Sequence, residues 1–92
     1  MKIEKILEKV KAGDTDALKI IYERYSSLIR SICINITKED EDTINDLVQD
    51  SFILTYYSLG KLKDASKFKE WCAAITKNVA LKHLEKKFYS VR

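Results

Sequence analysis

The chain has 92 residues, which is enough for one domain with one hydrophobic core and short for two. Hydrophobic residues make up 46% and charged residues 34%, a globular balance that excludes a disordered chain. No apolar run approaches membrane-spanning length, and the sequence contains no glycine-rich phosphate loop, nucleophile motif or metal-ligand spacing. We therefore expect a soluble, cytoplasmic protein that is not an enzyme and needs no metal or cofactor.

The net charge of +3 is distributed unevenly along the chain. Residues 37–59 carry one basic and six acidic side chains, whereas residues 60–92 carry nine basic and three acidic ones. An acidic surface suits a basic protein partner, and a basic surface suits phosphate. The charge pattern therefore indicates two different partners.

The scarcity of breakers predicts an all-α fold, since the chain has no proline and only two glycines. Apolar residues recur in steps of three and four over residues 2–12, 15–36, 41–59 and 67–87. We expect one domain over residues 1–92, a compact bundle of three long helices with a short N-terminal helix. The tail from Phe88 onward carries no clear structural signal.

Short residues at the helix ends predict where the helices stop and start. Gly13 and Gly60 are expected to end the first and third helices, and Asn35 helps to end the second. Candidate N-caps precede two of the helices: Asp14 or Thr15 for the second, and Asp64 or Ser66 for the fourth. The acids at residues 39–42 lie where the dipole of the third helix favours negative charge.

The third helix has two distinct faces. Steps of three and four make one mostly apolar stripe that must face the core: Ile44, Leu47, Val48, Ser51, Phe52, Thr55, Tyr56 and Leu59. A second stripe mixes acids, an amide and two large apolar side chains: Asp46, Gln49, Asp50, Ile53 and Tyr57. This stripe fits either an ordinary solvated face or a surface that a basic helix of another protein grips.

The connection over residues 61–67 and the fourth helix form the second candidate site. Their lysines either contact the phosphate backbone of a nucleic acid or lie on a solvated face. These lysines are Lys61, Lys63, Lys67, Lys69, Lys77, Lys82, Lys86 and Lys87. Trp71, Tyr56 or Tyr57 would offer a stacking surface, although core packing is the simpler role for Phe68 and Trp71.

The fourth helix is expected to face inward along one stripe: Phe68, Trp71, Cys72, Ile75 and Val79, with Leu84 a further candidate. Thr76 and Ala80 are placed outward or at the flank. Cys33 and Cys72 read as buried thiols rather than a disulfide or metal pair, and His83 as a surface or cap residue.

Three segments, in order and with matching separations, resemble region 2 of sigma-70-type factors, in particular the extracytoplasmic-function (ECF) group. They are Ala17-Leu-Lys-Ile-Ile-Tyr-Glu-Arg-Tyr25, Asp46-Leu-Val-Gln-Asp-Ser-Phe52 and Phe68-Lys-Glu-Trp-Cys-Ala-Ala-Ile-Thr-Lys-Asn78, the last followed by Ala80-Leu-Lys-His-Leu84. The resemblance covers residues 16–87. It departs from the family pattern at Cys72 and Thr76, where leucine and alanine are usual, and in its lysine-rich rather than arginine-rich end.

The resemblance implies that the domain docks on the clamp helices of the largest subunit of RNA polymerase. It further implies that the domain reads and melts the promoter minus-ten element as single-stranded DNA, on the non-template strand. Polymerase binding would fall to Asp46, Gln49 and Asp50, with apolar area from Ile53 and Tyr57 inferred from their stripe. DNA binding would fall to the connection and the fourth helix: Lys61, Lys63, Asp64, Ser66, Lys67, Lys69, Lys77 and Asn78.

Two other functions stay open at this stage. One is a sigma-like interaction module or regulator that binds polymerase or a partner without melting a promoter. The other is a small duplex-DNA-binding regulator that places its fourth helix in a groove. An anti-sigma factor is a further candidate partner, no membrane association is expected, and no C-terminal helix-turn-helix domain is expected within these 92 residues.

Overall fold

The computed structural model describes residues 2–90, with side chains through residue 88. Four α-helices follow one another along the chain: α1 (Ile3–Lys11), α2 (Thr15–Thr37), α3 (Glu41–Tyr57) and α4 (Phe68–Ser90). Two single turns of 3₁₀ helix, Leu59–Lys61 and Ala65–Lys67, connect α3 to α4. The predicted all-α bundle of three long helices and a short leading helix is confirmed.

The helices begin and end for identifiable reasons. The Asp14 carboxylate accepts hydrogen bonds from the backbone N–H groups of Asp16 and Ala17, and so caps α2. Gly13 has a φ of +92°, and the Asp14 N–H donates to the Lys9 carbonyl across it at 2.9 Å. The Asp40 carboxylate caps α3 by accepting from the Thr43 N–H at 2.8 Å. The glycine stop and the Asp14 cap are therefore confirmed.

Three expected helix ends differ from the structure. α2 continues past Asn35 to Thr37 and ends where Lys38 takes the left-handed conformation, with a φ of +56°. α3 ends at Tyr57, and Gly60 lies inside the following 3₁₀ turn without a positive φ. α4 runs through Ser90, so residues 88–90, which carry no clear structural signal in the sequence, are helical, and residues 91 and 92 lie outside the described residues.

The core forms where α2 packs against both α3 and α4, and where α1 closes one end. Its members come from every helix and include Ile6, Ile29, Ile44 and Phe68, each at most 2% exposed. α1 also packs against the 3₁₀ turn Ala65–Lys67. The short first helix therefore supports the connection that leads into α4.

Thr76 and Ala80 are fully buried, so their expected outward placement is wrong. The Thr76 hydroxyl donates to the carbonyl of Cys72 one turn earlier, at 2.9 Å. A hydroxyl satisfied by its own helix can enter a core without an unpaired donor. The buried face of α4 therefore follows steps of four from Phe68, while Trp71, Ile75 and Val79 are only half-buried at its side.

Both cysteines are buried and free, as expected. Burial raises the pKa of the Cys33 and Cys72 thiols, although the nearby Ser51 hydroxyl opposes this at Cys33 and the Thr55 and Thr76 hydroxyls oppose it at Cys72. A raised pKa leaves little reactive thiolate. Both residues therefore act as small core side chains.

Candidate docking and nucleic-acid interfaces

The second stripe of α3 lies on the surface. All five of its members are exposed, and Ile53 and Tyr57 have 52% and 79% of their residue surface exposed. We call them the docking row: Asp46, Gln49, Asp50, Ile53 and Tyr57. Behind the row, Leu47, Val48 and Ser51 are buried and hold α3 in the bundle. The row spans about 16 Å of one helix face.

Within the described part of the chain, no basic side chain pairs with the acids of the docking row. Among the residues that the structure describes, neither Asp46 nor Asp50 has a hydrogen-bond or ion-pair partner. Two uncompensated carboxylates beside an exposed isoleucine make a surface that is both negative and partly apolar. Such a surface is complementary to a basic helix with an apolar stripe.

We call the connection over residues 61–67 the lysine loop. Its side chains alternate between the core and the solvent. Leu62 and Ala65 pack against the core, whereas all three lysines are exposed. The Asp64 carboxylate accepts hydrogen bonds from the Ser66 N–H at 3.0 Å and from the Ser66 hydroxyl at 2.6 Å. These bonds hold the pKa of Asp64 below its ordinary value. Asp64 and Ser66 thus shape the turn that starts α4.

The polar residues expected on α4 are exposed, but they do not share one face, since Asn78 lies nine residues from Lys69 and thus on the opposite side of the helix. Lys69, Lys77 and Asn78 are all exposed, and Lys69 directly follows the lysine loop. Asn78 also lines an open groove of about 410 Å³ between α3 and α4, with Leu54 and Leu81 as its apolar walls. Lys69 therefore lies beside the loop, while Lys77 and Asn78 lie two to three turns further along the helix.

A second open groove, of about 280 Å³, lies where the ends of α1 and α3 meet. We call it the tyrosine groove, and its lining residues are Val10, Lys11, Tyr56, Tyr57, Leu59 and Gly60. The two tyrosine rings stack edge to face, with their centroids 5.3 Å apart. Tyr57 therefore lies at the boundary between the docking row and this groove.

Sequence reasoning missed an ionic cluster that ties the α2–α3 connection to the end of α4. Glu39 Oε2 lies 2.6 Å from His83 Nε2, and Glu39 Oε1 accepts from Lys87 Nζ at 2.9 Å. First the bond with His83 and then the bond with Lys87 lower the pKa of Glu39. The only sequence signal was an acid in a polar connection, and nothing local pointed to partners more than forty residues away.

The Glu39 cluster predicts a specific loss of stability in acid. Because the pKa of Glu39 is lowered by folding, its contribution is complete above its unfolded value of about 4.3 and is lost as the pH falls through the lowered value. Glu39→Gln should therefore flatten the dependence of the unfolding free energy on pH below about pH 4.3. Urea titrations of both proteins across this range measure the difference. Equal slopes of the unfolding free energy against pH for both proteins would contradict this prediction.

Two general findings bound the chemistry of these surfaces. Among the described residues, no group of three or more His, Cys, Asp or Glu side chains is placed to hold a metal ion. None of the helices in the described range combines the length and apolar content that crossing a bilayer requires.

The fold and its surfaces define a class of protein. It is an all-α module with an acidic docking row and a basic loop. A family model described as "Sigma-70 region 2" matches residues 21–87. The chain belongs to this family and contains its region 2. The motif resemblance is thereby confirmed.

Several curated relatives are similar to the chain. The ECF RNA polymerase sigma factor SigW of Bacillus subtilis is 29% identical over 87 residues, which cover 95% of this chain and 46% of the relative. An ECF RNA polymerase sigma-E factor of Haemophilus influenzae is 29% identical over 86% of this chain and 41% of its own length. The RNA polymerase sigma-H factor of Pseudomonas aeruginosa is 27% identical over 88% and 42%, respectively. The chain thus spans less than half the length of these relatives, and no solved structure gives a significant match.

Proposed function

We propose that this chain is a transcription initiation factor domain that binds core RNA polymerase and holds the non-template strand of the promoter minus-ten element as single-stranded DNA. Membership of the sigma-70 region 2 family supports the role in initiation, and sigma factors are not enzymes. The site of action would be the cytoplasm, where the bacterial chromosome and polymerase lie. The observation that carries the proposal is the separation of an uncompensated acidic row on α3 from an exposed lysine cluster at the start of α4.

The docking row would bind the clamp helices of the largest polymerase subunit. Asp46, Gln49 and Asp50 supply charge and hydrogen-bond acceptors that point away from the bundle, and Ile53 adds exposed apolar area. Tyr57 lies one turn beyond Ile53 at the end of the row. A row that is charged at one end and apolar at the other gives both rapid association and a desolvated contact. An anti-sigma factor would compete for the same row.

The lysine loop would capture a flipped base of the melted strand. Leu62 and Ala65 anchor the loop, the Asp64–Ser66 hydrogen bonds fix its second turn, and the exposed lysines are left free to contact phosphates. A loop whose backbone is already ordered loses less entropy when it binds. Lys69 and Lys77 extend this surface along α4, and Asn78 would contribute from the groove between α3 and α4. Extruding a base requires a few kcal/mol, which pocket contacts and counterion release would offset.

Replacing Lys63, Lys67 and Lys69 with glutamate tests the DNA half of the proposal. Binding to polymerase should be unchanged, because these residues lie outside the docking row. Affinity for a single-stranded minus-ten oligonucleotide should fall, and the slope of log affinity against log salt should become shallower by about 2, which corresponds to three lost phosphate contacts. Fluorescence anisotropy with the polymerase-bound domain measures both quantities. An unchanged affinity and slope would favour the alternative, an interaction module that binds polymerase without melting a promoter.

A further inference from the structure

The end of α4 is basic, and the proposed function does not use it. It carries three exposed lysines and a half-buried histidine: Lys82, His83, Lys86 and Lys87. Exposed lysines grouped at one helix end suit the phosphate backbone of DNA. Among the described residues Lys86 has no ion-pair partner, whereas Lys87 is paired with the carboxylate of Glu39. These two neighbouring lysines therefore differ in whether their charge is available to a ligand.

Glu39 contacts two nitrogens of this helix end at once. One carboxylate oxygen lies 2.6 Å from His83 Nε2, and the other lies 2.9 Å from Lys87 Nζ. His83 and Lys87 are four residues apart, so their side chains lie one above the other on the same face of α4. A phosphate group offers a similar pair of oxygens to the same two nitrogens. Glu39 therefore occupies a position that suits a phosphate.

The connection between α2 and α3 holds Glu39 in this position. The Glu39 N–H donates to the Thr37 hydroxyl at 3.4 Å, and the next residue, Asp40, caps α3. Hydrogen bonds from Thr43 hold the pKa of Asp40 below its ordinary value, and the charge of Lys87 lowers it further. Lys87 therefore faces two carboxylates that the fold has fixed in place.

We propose that Glu39 makes an autoinhibitory contact, in which its carboxylate competes with DNA phosphate for His83 and Lys87. While the contact is closed, Lys87 adds nothing to DNA binding. Phosphate contacts carry no sequence information, so their loss leaves a larger share of the binding to the lysine loop. The inference deepens the proposed function, on which it rests for the choice of DNA as the source of the phosphate.

A double-mutant cycle tests this competition. The domain alone is titrated with a short DNA duplex of arbitrary sequence at increasing salt, and binding is followed by fluorescence anisotropy. Glu39→Gln should raise the affinity about fivefold near physiological salt and steepen the slope of log affinity against log salt by about 0.9, the value for one added phosphate contact. Lys87→Gln alone should leave the slope unchanged, because Glu39 already neutralises that lysine. Lys87→Gln added to Glu39→Gln should remove the whole gain.

Matched variants separate the competition from net charge and from folding. Glu41→Gln removes one negative charge from the first turn of α3, where no described residue pairs with it, and should leave the slope unchanged. Lys86→Gln should make the slope shallower by about 0.9 with either residue at position 39, since Lys86 is exposed and unpaired. Glu39→Ala, which removes both oxygens, should raise the affinity at least as much as Glu39→Gln. Circular dichroism spectra should match that of the wild type, since burial of Phe68 and Cys72 also holds α4.

The outcomes distinguish this inference from the proposed function. If neither Glu39 variant raises the affinity for duplex DNA, Glu39 only anchors the end of α4 and the inference is overturned. An equal gain from Glu41→Gln would assign the effect to net charge and overturn it as well. These titrations contain neither polymerase nor a minus-ten oligonucleotide, so both results leave the proposed function standing. If the polymerase-bound domain does not hold the minus-ten strand while the gain from Glu39→Gln persists, the proposed function fails and the competition at α4 stands.

Discussion

Changing Asp46 and Asp50 together to lysine is expected to abolish binding to core RNA polymerase. Both carboxylates are exposed on one face of α3 and lack partners among the described residues, so their charge is available to a partner. Removing one member of a desolvated interfacial ion pair costs about 2–5 kcal/mol, and reversing the sign adds repulsion. We expect a loss of affinity of at least about 100-fold, measured by binding of labelled domain to core enzyme.

The matched control for this reversal lies on α1. Glu4 and Glu8 have the same spacing of four residues and are also exposed, so Glu4→Lys with Glu8→Lys changes the net charge equally. The control should bind polymerase within about twofold of the wild type, because α1 lies outside the docking row. Both double variants should keep their unfolding free energy to within about 1 kcal/mol, as is usual for surface changes. If the two reversals weaken binding equally, net charge rather than the docking row governs the interaction.

Phe68→Ala is expected to be the most destabilising single substitution in the region that leads from the lysine loop into α4. Phe68 is 2% exposed, and its ring contacts Tyr25 and Trp71 with centroids 4.9 Å and 6.1 Å apart. Truncating a buried phenylalanine typically costs about 3–5 kcal/mol, a large part of the stability of a small domain. Urea unfolding followed by circular dichroism measures the change.

Phe88 provides the matched control for this truncation. It lies on the same helix, but the residue is 82% exposed. Phe88→Ala should therefore change the unfolding free energy by no more than about 0.5 kcal/mol. A similar loss in both variants would mean that α4 is held by something other than the burial of Phe68.

The helices were predictable because their apolar residues recur at helical spacing and because the chain contains so few breakers. The inner face of α4 was only partly predictable. Thr76 looks polar in the sequence, yet its hydroxyl is satisfied by the Cys72 carbonyl, and Ala80 is small enough to fit against neighbouring helices. Pattern reasoning ranks residues by hydrophobicity, and it therefore placed the larger Trp71 and Ile75 inward ahead of these two.

The candidate surfaces were likewise only partly predictable from the sequence. Exposure of the docking row follows from one helix alone, so the stripe of Asp46, Gln49 and Asp50 was visible in the sequence. The contacts of Glu39 with His83 and Lys87 join segments 44 and 48 residues apart, and no local pattern predicts them. The tyrosine groove likewise needs α1 and α3 together.

Salt dependence of strand binding tests the central claim most directly. Core RNA polymerase alone and polymerase with the domain bound are each titrated with the single-stranded minus-ten oligonucleotide at increasing salt. We predict that the domain adds affinity and that this added affinity falls with a log–log slope of about −2 or steeper, as expected for at least three phosphate contacts by the lysines. If the bound domain adds no salt-sensitive affinity, it docks on polymerase without holding the strand, and the proposed division of labour between α3 and the lysine loop is contradicted.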